Sequence, residues 1–501
     1  MPDLRGATSF KYRRPKSSVV DYDVIVAGGG LAGTVAAQAV ARYAGGARIL
    51  VVDRSPPVMP GRKSVSGWIC GDAVSKEAVD YMTSRTGVAW EEPEIEHKVK
   101  GVMAFSPDRE TAIPFDGDGY MLNRQLLPER QNERSRRMGI EFHYSVNLTG
   151  LLYDDGQVVG VAGVDGSKNP YKKTAHVVID ATGITSMLRN QIANTDKIER
   201  KVDRRDVEST GRHIMYFEKG AEDTTQFDPD YCIIHLDQDA SPGGYGWVFP
   251  KGDDKVNIGL GVEKTLLQAR NARLNKRDTV TTLIEEYVQA NEAIKNPRLS
   301  TDLEDANNAT GNFQVSVRRQ NDCLVAGGFL LVGDSAWMPK PLDAGGIGPA
   351  LVAGAIAGRC VAEALESGDT SEAGLWQYNK EFINEYGYKT AGLEVFRRLI
   401  QTLTNDQLNY GMKHFLGNLD VEAISKGEHP DFSALGRLGM IIRGALNKKL
   451  ADGLRFTTRQ NKKLTEHYYA FPETPDGFAE WRKKLHVLLD ESNTRLKRYQ
   501  R

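Results

Sequence analysis

A glycine motif between a strand and a helix constrains the fold of this chain more than any other feature of its sequence. Residues 22–27 form a short apolar run typical of a β-strand, and residues 28–33 read GGGLAG. The alanine-rich stretch 34–43 predicts a helix directly afterwards. Strand, G-x-G-x-x-G and helix together place backbone amides and the positive end of a helix dipole at one point. The motif therefore predicts a βαβ unit that binds the pyrophosphate of a dinucleotide.

An acidic residue follows at the distance that such a unit requires. Residues 48–52 predict a second strand, and Asp53 stands at its end. A carboxylate there can accept hydrogen bonds from the adenosine ribose and would repel a 2′-phosphate. These features disfavour NADP at this site, but they do not separate NAD from FAD.

Two later strand-and-glycine segments favour FAD, the more extended of the two dinucleotides. One segment ends at Gly183, and another ends at Asp334 before a helix that opens with Gly345, Gly346 and Ile347. Asp334 is placed to bind the ribityl hydroxyls. The amides around Gly346 and Ile347 would face the N1/C2 edge of the isoalloxazine ring, where negative charge accumulates in the reduced flavin. NAD needs no such second site.

Composition narrows the class of protein further. With Lys+Arg 65 against Asp+Glu 66, the chain is almost neutral, which argues against a nucleic-acid partner. Its four cysteines are widely spaced and form no CxxC pair, so we expect neither disulfides nor a metal or iron–sulfur site. The sequence contains no run of about 18 uncharged apolar residues, so we do not expect a helix that spans a membrane. We expect a cytoplasmic protein, with peripheral contact at the inner face of the membrane left open.

Several segments carry a resemblance to known flavoproteins. The CGD run at 70–72 and Arg124, with the glycine motifs, are similar to the FAD superfamily that includes p-hydroxybenzoate hydroxylase. Residues 242–250 read PGGYGWVFP and are followed by Gly259 and Gly261. This segment resembles the PxxYxWxFP signature of the geranylgeranyl reductase family. The CGD run is closer to the archaeal members, which act on geranylgeranylated ether lipids.

The resemblance covers roughly residues 20–400 and implies a reductase that saturates isolated C=C bonds of polyprenyl chains with reduced FAD. No carbonyl polarises such a bond, so its reduction needs a dry, tightly shaped cavity. Cys70 is a hypothetical catalytic residue, either relaying a proton or positioning the flavin; a buried structural thiol is the alternative. The FAD site implied by the resemblance comprises Gly28, Gly30, Leu31, Ala32, Gly33, Asp53, Cys70, Gly71, Asp72, Arg124, Val146, Gly183, Asp334, Gly345, Gly346 and Ile347.

The aromatic residues of the signature predict a wall for the lipid chain. Tyr245, Trp247 and Phe249 alternate along the sequence, so in a strand their three rings share one face. Ordinary core packing of these rings is the alternative. Pro242 and Pro250 bound the segment and predict a strand at the edge of its sheet.

The sequence leaves the electron donor and two other functions open. It has no second G-x-G-x-x-G motif, so electrons would come from transiently bound NAD(P)H or from a partner such as ferredoxin. An aromatic monooxygenase or a flavin halogenase shares the scaffold, although Tyr245 and Phe249 depart from the halogenase element Trp-x-Trp-x-Ile-Pro. An electron-transferring flavoprotein similar to the quinone oxidoreductases is disfavoured because their cysteine cluster is missing.

The expected fold is α/β: a Rossmann-like FAD-binding domain, a mixed-sheet substrate-binding domain and a helical C-terminal region. In that last region, the basic segments 435–450 and 481–489 would suit a membrane surface, with a solvated helix face as the alternative. The predicted boundaries are a flexible basic leader at 1–19, the FAD-binding domain at 20–110, 125–190 and 320–400, the substrate-binding domain at 111–124 and 191–319, and the helical region at 401–501.

Overall fold

Two β-sheets form the body of the chain, and helices cover them. The computed structural model describes residues 10–12, 20–57, 69–302, 309–414 and 448–497. The strands are β1 (Phe10–Lys11), β2 (Tyr22–Ala27), β3 (Ala44–Gly45), β4 (Ile49–Val52), β5 (Ala73–Ser75), β6 (Ile95–Phe105), β7 (Ala112–Leu122), β8 (Glu141–His143), β9 (Asn147–Asp154), β10 (Gln157–Val164), β11 (Pro170–Asp180), β12 (Val207–Tyr216), β13 (Tyr231–His235), β14 (Gly246–Pro250), β15 (Lys255–Glu263), β16 (Arg298–Leu299), β17 (Thr310–Ser316), β18 (Val325–Ala326) and β19 (Phe329–Leu331). The helices are α1 (Leu31–Tyr43), α2 (Lys76–Thr86), α3 (Leu127–Arg137), α4 (Met187–Gln191), α5 (Lys264–Leu274), α6 (Val280–Gln289), α7 (Ile347–Ser367), α8 (Glu372–Glu385), α9 (Thr390–Ile400), α10 (Asn405–His414), α11 (Lys448–Tyr469) and α12 (Phe478–Leu496).

The first sheet contains the predicted βαβ unit. Its strand order is β18-β19-β11-β2-β4-β8, and β9 and β10 join it through β11. Strand β2 pairs in parallel with β4 and β11, and α1 follows β2 directly. The central strands are almost entirely apolar because helices or loops cover both faces. The Rossmann-like organisation predicted from the glycine motif is confirmed.

Helices α1 and α7 approach each other closely through small residues. A Cβ at Gly354 would lie 2.6 Å from the Ala32 carbonyl oxygen, and one at Gly358 would lie 2.4 Å from that of Ala36. Helix α7 is long and apolar enough to cross a membrane, but 83% of its most apolar window is buried inside the protein. It is therefore a core helix. Its packing on α1 fixes the distance between the glycine motif at 28–33 and the glycine segment at 345–346.

The second sheet is mixed and has the order β16-β12-β15-β14-β13-β6-β7-β5, with β17 paired to β12. Helices α5 and α6 cover one of its faces, where Ile258 and Leu260 pack against Leu283 and Ile284. The opposite face carries the signature aromatics and the residues that contact the CGD run. We call it the site face; its members include Glu208, Tyr245, Trp247, Phe249 and Asn257.

Two details of the second sheet differ from the sequence-based prediction. The aromatic strand β14 lies between β13 and β15, so its prediction as an edge strand was wrong. Pairing with β13 covers only Gly246 to Val248, and Pro250 ends the strand beyond that stretch, where a missing N–H disturbs little of the ladder. Strand β6, placed with the FAD-binding domain, instead pairs with β7 and β13 in this sheet.

The two ends of the chain attach to the FAD-binding domain. Strand β1, within the predicted leader, pairs with β3. Helices α11 and α12 bury Tyr468, Trp481 and Leu485 in the same hydrophobic core as the first sheet. The predicted helical segment 481–489 is part of α12, whereas 435–447 lies outside the described residues.

Candidate functional site

The three glycines of the first motif have different surroundings. Gly28 has a φ of +106°, and a Cβ there would lie 2.3 Å from the Ala181 carbonyl oxygen. A Cβ at Gly33 would lie 2.0 Å from the Gly28 oxygen, so these two glycines let the strand and the helix meet. At Gly30, by contrast, nothing among the described residues lies within 4 Å of a Cβ, and none of their side chains caps α1. The start of α1 thus faces open space, as a bound pyrophosphate requires.

Asp53 is held beside this motif by backbone amides. Its carboxylate accepts hydrogen bonds from Gly29 N at 2.6 Å and from Ser55 N at 2.7 Å. The Val146 amide donates to the Asp53 carbonyl oxygen at 3.0 Å, which places Val146 at the same edge. A carboxylate can accept about four hydrogen bonds, so capacity remains for the ribose hydroxyls.

The second glycine segment lies beside Asp334. A Cβ at Gly346 would lie 3.6 Å from Asp334 Oδ1, and no side chain caps α7 at Gly346. Burial raises the pKa of Asp334 to about 6, and the charge of Arg124 counters this only in part. Gly183, with a φ of +83°, has no atom within 4 Å of a Cβ position. The chain therefore offers two uncapped helix starts, each with an acid beside it, and these fit the two ends of FAD.

Cys70 and Arg124, predicted as neighbours of the flavin, contact each other. Arg124 Nη1 and Asp72 N both donate hydrogen bonds to Cys70 Sγ at 3.1 Å. Burial raises the pKa of the partly buried Cys70 thiol, and Arg124 lowers it by less. The thiol is therefore neutral at ordinary pH and acts as a hydrogen-bond acceptor for two groups that surround it.

Asp72 belongs to a buried ion-pair network that the sequence did not predict. Lys251 Nζ lies 3.0 Å from Asp72 Oδ2, 2.8 Å from a Glu96 oxygen and 2.9 Å from the Leu122 carbonyl oxygen. Asn257 Nδ2 donates to the same Asp72 oxygen at 2.9 Å. Burial alone would raise the pKa of Asp72, but the nearby positive charges, Lys251 first, bring it below its usual range.

The signature aromatics share one face of the sheet, as predicted. The Trp247 ring lies 6.0 Å from the Tyr245 ring and 6.0 Å from the Phe249 ring, measured between centroids. Trp247 Nε1 donates to Asn257 Oδ1 at 3.0 Å. A Cβ at Gly259 would lie 2.3 Å from the Trp247 indole, so this glycine makes room for the ring. We call these three residues the aromatic wall.

The aromatic wall connects the two halves of the site. At one end, Phe249 lies 3.2 Å from a Cβ position on Gly71, next to Cys70. At the other end, the Tyr245 hydroxyl donates to the Asp343 carbonyl oxygen at 2.6 Å, two residues before Gly345. The structure thus brings together the CGD run, the aromatic strand and the start of α7. A flavin ring held at α7 would have this wall beside it.

Comparisons with protein families match two parts of the chain. Residues 206–297 match the family model described as the geranylgeranyl reductase catalytic domain. Residues 23–195 match the model described as FAD dependent oxidoreductase. The first match contains β12 to β15, which form the site face, and the second contains the first glycine motif.

Curated relatives match nearly the whole chain. It is 32% identical to the digeranylgeranylglycerophospholipid reductase of Sulfolobus acidocaldarius over 482 residues, which are 95% of this chain and 99% of the relative. Digeranylgeranylglycerophospholipid reductase 2 of Methanopyrus kandleri is 28% identical, over 82% of this chain and 94% of its own length. The similarity therefore extends through the C-terminal region.

Solved structures share the fold. A geranylgeranyl bacteriochlorophyll reductase-like protein from Thermoplasma acidophilum aligns with a TM-score of 0.68 and 24% identity, covering 81% of this chain and 95% of that one. The myxobacterial chondrochloren halogenase aligns with a TM-score of 0.60 and 16% identity, covering 79% and 90%. At these identities the likeness shows a common flavoprotein architecture.

Proposed function

The chain belongs to the geranylgeranyl reductase family of FAD-dependent oxidoreductases, and from that membership we propose that it saturates isolated C=C bonds in the geranylgeranyl chains of archaeal-type ether phospholipids. The aromatic wall between the CGD run and the start of α7 is the observation that supports this most. Reduced FAD, when bound, supplies two electrons and one hydrogen to such a bond. The chain must hold the double bond, keep water out and provide a proton.

The proposed FAD contacts follow the two glycine segments. The amides at the start of α1, including Leu31 and Ala32, would bind the pyrophosphate, and Asp53 would bind the adenosine ribose. Asp334 would bind the ribityl chain. The other proposed contacts are Gly28, Gly30, Gly33, Cys70, Gly71, Asp72, Arg124, Val146, Gly183, Gly345, Gly346 and Ile347.

Gly30→Ala tests this cofactor assignment. A methyl group at Gly30 meets open space in the protein, so the variant should fold normally. The same methyl would crowd the pyrophosphate, and we expect FAD affinity to fall about tenfold or more, as overpacking by one methyl costs about 1–3 kcal/mol. Calorimetric titration of the apoprotein with FAD measures this. Unchanged affinity would move the pyrophosphate elsewhere.

The polyprenyl chain would lie along Tyr245, Trp247 and Phe249. Bilayer hydrocarbon is already about as apolar as leucine, so burial alone gives little preference for the protein. Shape must therefore select the chain. The hydrogen bonds of the Tyr245 hydroxyl and the Trp247 indole fix two of the rings, and a fixed slot can hold a double bond in one place.

Cys70 is proposed as the residue that positions the flavin. Its neutral thiol accepts from Arg124 and from the Asp72 amide, so it orders the strand end on which the ring would lie. Its raised pKa makes proton release unfavourable near neutral pH. These properties favour positioning over the alternative role as a proton relay.

The proposal includes an electron donor and a cellular location. Electrons would come from transiently bound NAD(P)H or from a protein such as ferredoxin. The enzyme would work in the cytoplasm and reach its lipid at the inner face of the membrane. On α12, Val487 is 62% exposed and lies beside Lys483 and Lys484. Lys484 pairs with Glu480 at 2.8 Å, so Lys483 is the cation proposed to meet an anionic lipid surface.

An anaerobic reaction tests the function itself. The purified holoenzyme is reduced with dithionite and mixed with geranylgeranyl-bearing phospholipid. We expect the lipid mass to rise by two hydrogens per double bond while the flavin is reoxidised. Unchanged lipid with reduced flavin, followed by rapid reaction once oxygen and an aromatic substrate are added, would contradict the proposal and support a monooxygenase.

A further inference from the structure

Glu208 is a buried acid on the same sheet face as the aromatic wall. It lies in β12, is 4% exposed and stands opposite Glu263 of β15. Its Oε2 lies 3.1 Å from a Cβ position on Gly261 and 3.2 Å from one on Gly244. The carboxyl group therefore occupies the space that these two glycines leave free. Gly261 N also donates to the Tyr245 carbonyl oxygen at 3.0 Å, so the acid lies beside the start of the wall.

The charged residues near Glu208, Glu263 and Arg397, form hydrogen bonds with other groups. Glu263 accepts hydrogen bonds from the Thr265 and Leu266 amides at the start of α5, both at 2.9 Å. Arg397 of α9 donates to Asp206 Oδ1 at 2.5 Å. Within the part of the chain that the structure describes, the Glu208 carboxyl group has neither an ion pair nor a hydrogen bond. An acid buried in this way is stable in its neutral form.

The electrostatics agree with this geometry. Burial raises the pKa of Glu208 to about 7; Arg397 lowers it and Glu263 raises it further. Tyr245 at this end of the wall and Cys70 at the other end have pKa values raised by burial and hold their protons more tightly. A general acid works best when its pKa lies near the working pH, and Glu208 meets that condition.

We propose that Glu208 supplies the proton that the double bond takes up during reduction. The proposal rests on the reductase function given above. The π bond breaks; one carbon gains a hydrogen and two electrons from the reduced cofactor, and the other carbon forms a C–H bond with the proton of the Glu208 carboxyl. The alkene is reduced by two electrons and the flavin is oxidised by two. The Glu208 carboxylate then regains a proton from water.

Glu208→Gln tests the proposal, with Glu263→Gln as the matched control. Infrared difference spectra of the flavin-free protein report the acid without any turnover. In wild type, we expect a protonated carboxyl band at pH 6 that fades as the pH rises through 7 to 8. Asp334, whose pKa is raised to about 6, contributes a second component, and in Glu208→Gln we expect only the component that titrates near pH 7 to be missing. In Glu263→Gln it should remain but fade at lower pH, because a neighbouring negative charge is gone.

Single-turnover kinetics give the second readout. With pre-reduced holoenzyme and geranylgeranyl phospholipid, flavin reoxidation should slow at least about 100-fold in Glu208→Gln, the usual contribution of a general acid. FAD content and lipid binding should be unchanged, and Glu208→Asp should restore part of the rate. Glu263→Gln should stay within a few-fold of wild type.

Two results would overturn the proposal: wild-type reoxidation in Glu208→Gln, or a carboxyl component titrating near pH 7 that persists in that variant. Failure of the wild-type enzyme to reduce the lipid is a different result. It would reject the reductase function, and with it this step, while the infrared titration would still report the charge state of Glu208.

Discussion

Asp72 contacts one end of the site face and Glu208 lies at the other end, and these two buried acids differ in their partners. Asp72 is bound by Lys251 and Asn257, and its pKa is lowered; the Glu208 carboxyl has no such partner among the residues that the structure describes, and its pKa is raised. Asn257 and Gly261, which mark the two ends on β15, are four residues apart, or about 13 Å at the usual rise of a strand. Both acids are more than nine-tenths buried. Pairing, rather than burial, therefore decides which acid carries charge.

The difference suits two tasks. At the paired end, where Lys251 binds Asp72, fixed charges hold the CGD run in place. The unpaired end keeps a neutral acid that can release a proton. The aromatic wall connects them, so the double bond would lie between a rigid end and a titratable one.

Removing the cation at the paired end should have the largest effect on stability. Lys251→Met leaves Asp72 without its ammonium partner, whereas Glu96 keeps Lys255 at 3.2 Å. Breaking a buried pair in this way costs about 3–5 kcal/mol. Urea unfolding at pH 7 measures the loss, and the FAD content of the purified variant should also fall.

Lys219→Met serves as the matched control because Lys219 pairs with Asp253 at a solvent-exposed site. Its unfolding midpoint should not change measurably. Equal stability of the two variants would mean that the Lys251 network does not hold the paired end.

At the unpaired end, Glu208→Gln should stabilise the protein at high pH. The folded-state pKa of Glu208, about 7, exceeds its ordinary value of 4.5, so the folded protein holds a proton that the unfolded chain has lost between these pH values. Its stabilising contribution is thus present below pH 4.5 and is lost as the pH rises through 7. The variant escapes this loss.

We expect Glu208→Gln to gain up to about 3 kcal/mol relative to wild type between pH 5 and pH 8, at about 1.4 kcal/mol per pKa unit. Denaturant unfolding at both pH values measures the gain. A difference between the two proteins that does not vary with pH would show that Glu208 ionises normally in the folded state.

The glycines beneath Glu208 offer a smaller and more local test. A Cβ at Gly244 would lie 2.3 Å from the Gly261 carbonyl oxygen, whereas one at Gly261 would meet side chains, the tip of Glu208 at 3.1 Å and Thr210 Cγ2 at 3.5 Å. Gly244→Ala should cost about 1–3 kcal/mol and Gly261→Ala less, because a side chain can shift and backbone cannot. Thermal unfolding of the pair decides the order, and the reverse order would place Glu208 elsewhere.

The smallest effect is expected for the Cys70 thiol at the paired end. Cys70→Ser keeps an acceptor for Arg124 and for the Asp72 amide, so FAD content should be normal and turnover should fall less than tenfold, or about 1.4 kcal/mol. Cys70→Ala, which removes the acceptor, should lose more activity and FAD. Loss of turnover in Cys70→Ser at full FAD content would instead assign chemistry to the sulfur.

The sequence predicted the features that depend on local order. The glycine motif between β2 and α1 required only the spacing of Gly28, Gly30 and Gly33. The common face of the aromatic wall required only the two-residue period of a strand. Both are confirmed by the structure.

Features that depend on pairing between distant segments were missed. The sequence separation of Lys251 and Asp72 is 179 residues, and nothing local links them. The two prolines suggested an edge strand. A central strand can nevertheless contain Pro250, because its pairing with β13 ends at Val248. The sequence alone does not show where that pairing ends. Gly259 and Gly261 were noted only as part of the family signature, because their neighbours, Trp247 and Glu208, depend on the register between strands.

Photolabelling tests most directly the central claim that a lipid chain lies on the site face between the two acids. A geranylgeranyl phospholipid with a diazirine in its chain is irradiated with the FAD-loaded enzyme, and labelled peptides are identified by mass spectrometry. We predict labelling in β14, at Gly246–Pro250, that excess unlabelled lipid suppresses. Labelling confined to α12, with β14 unmodified, would contradict the account.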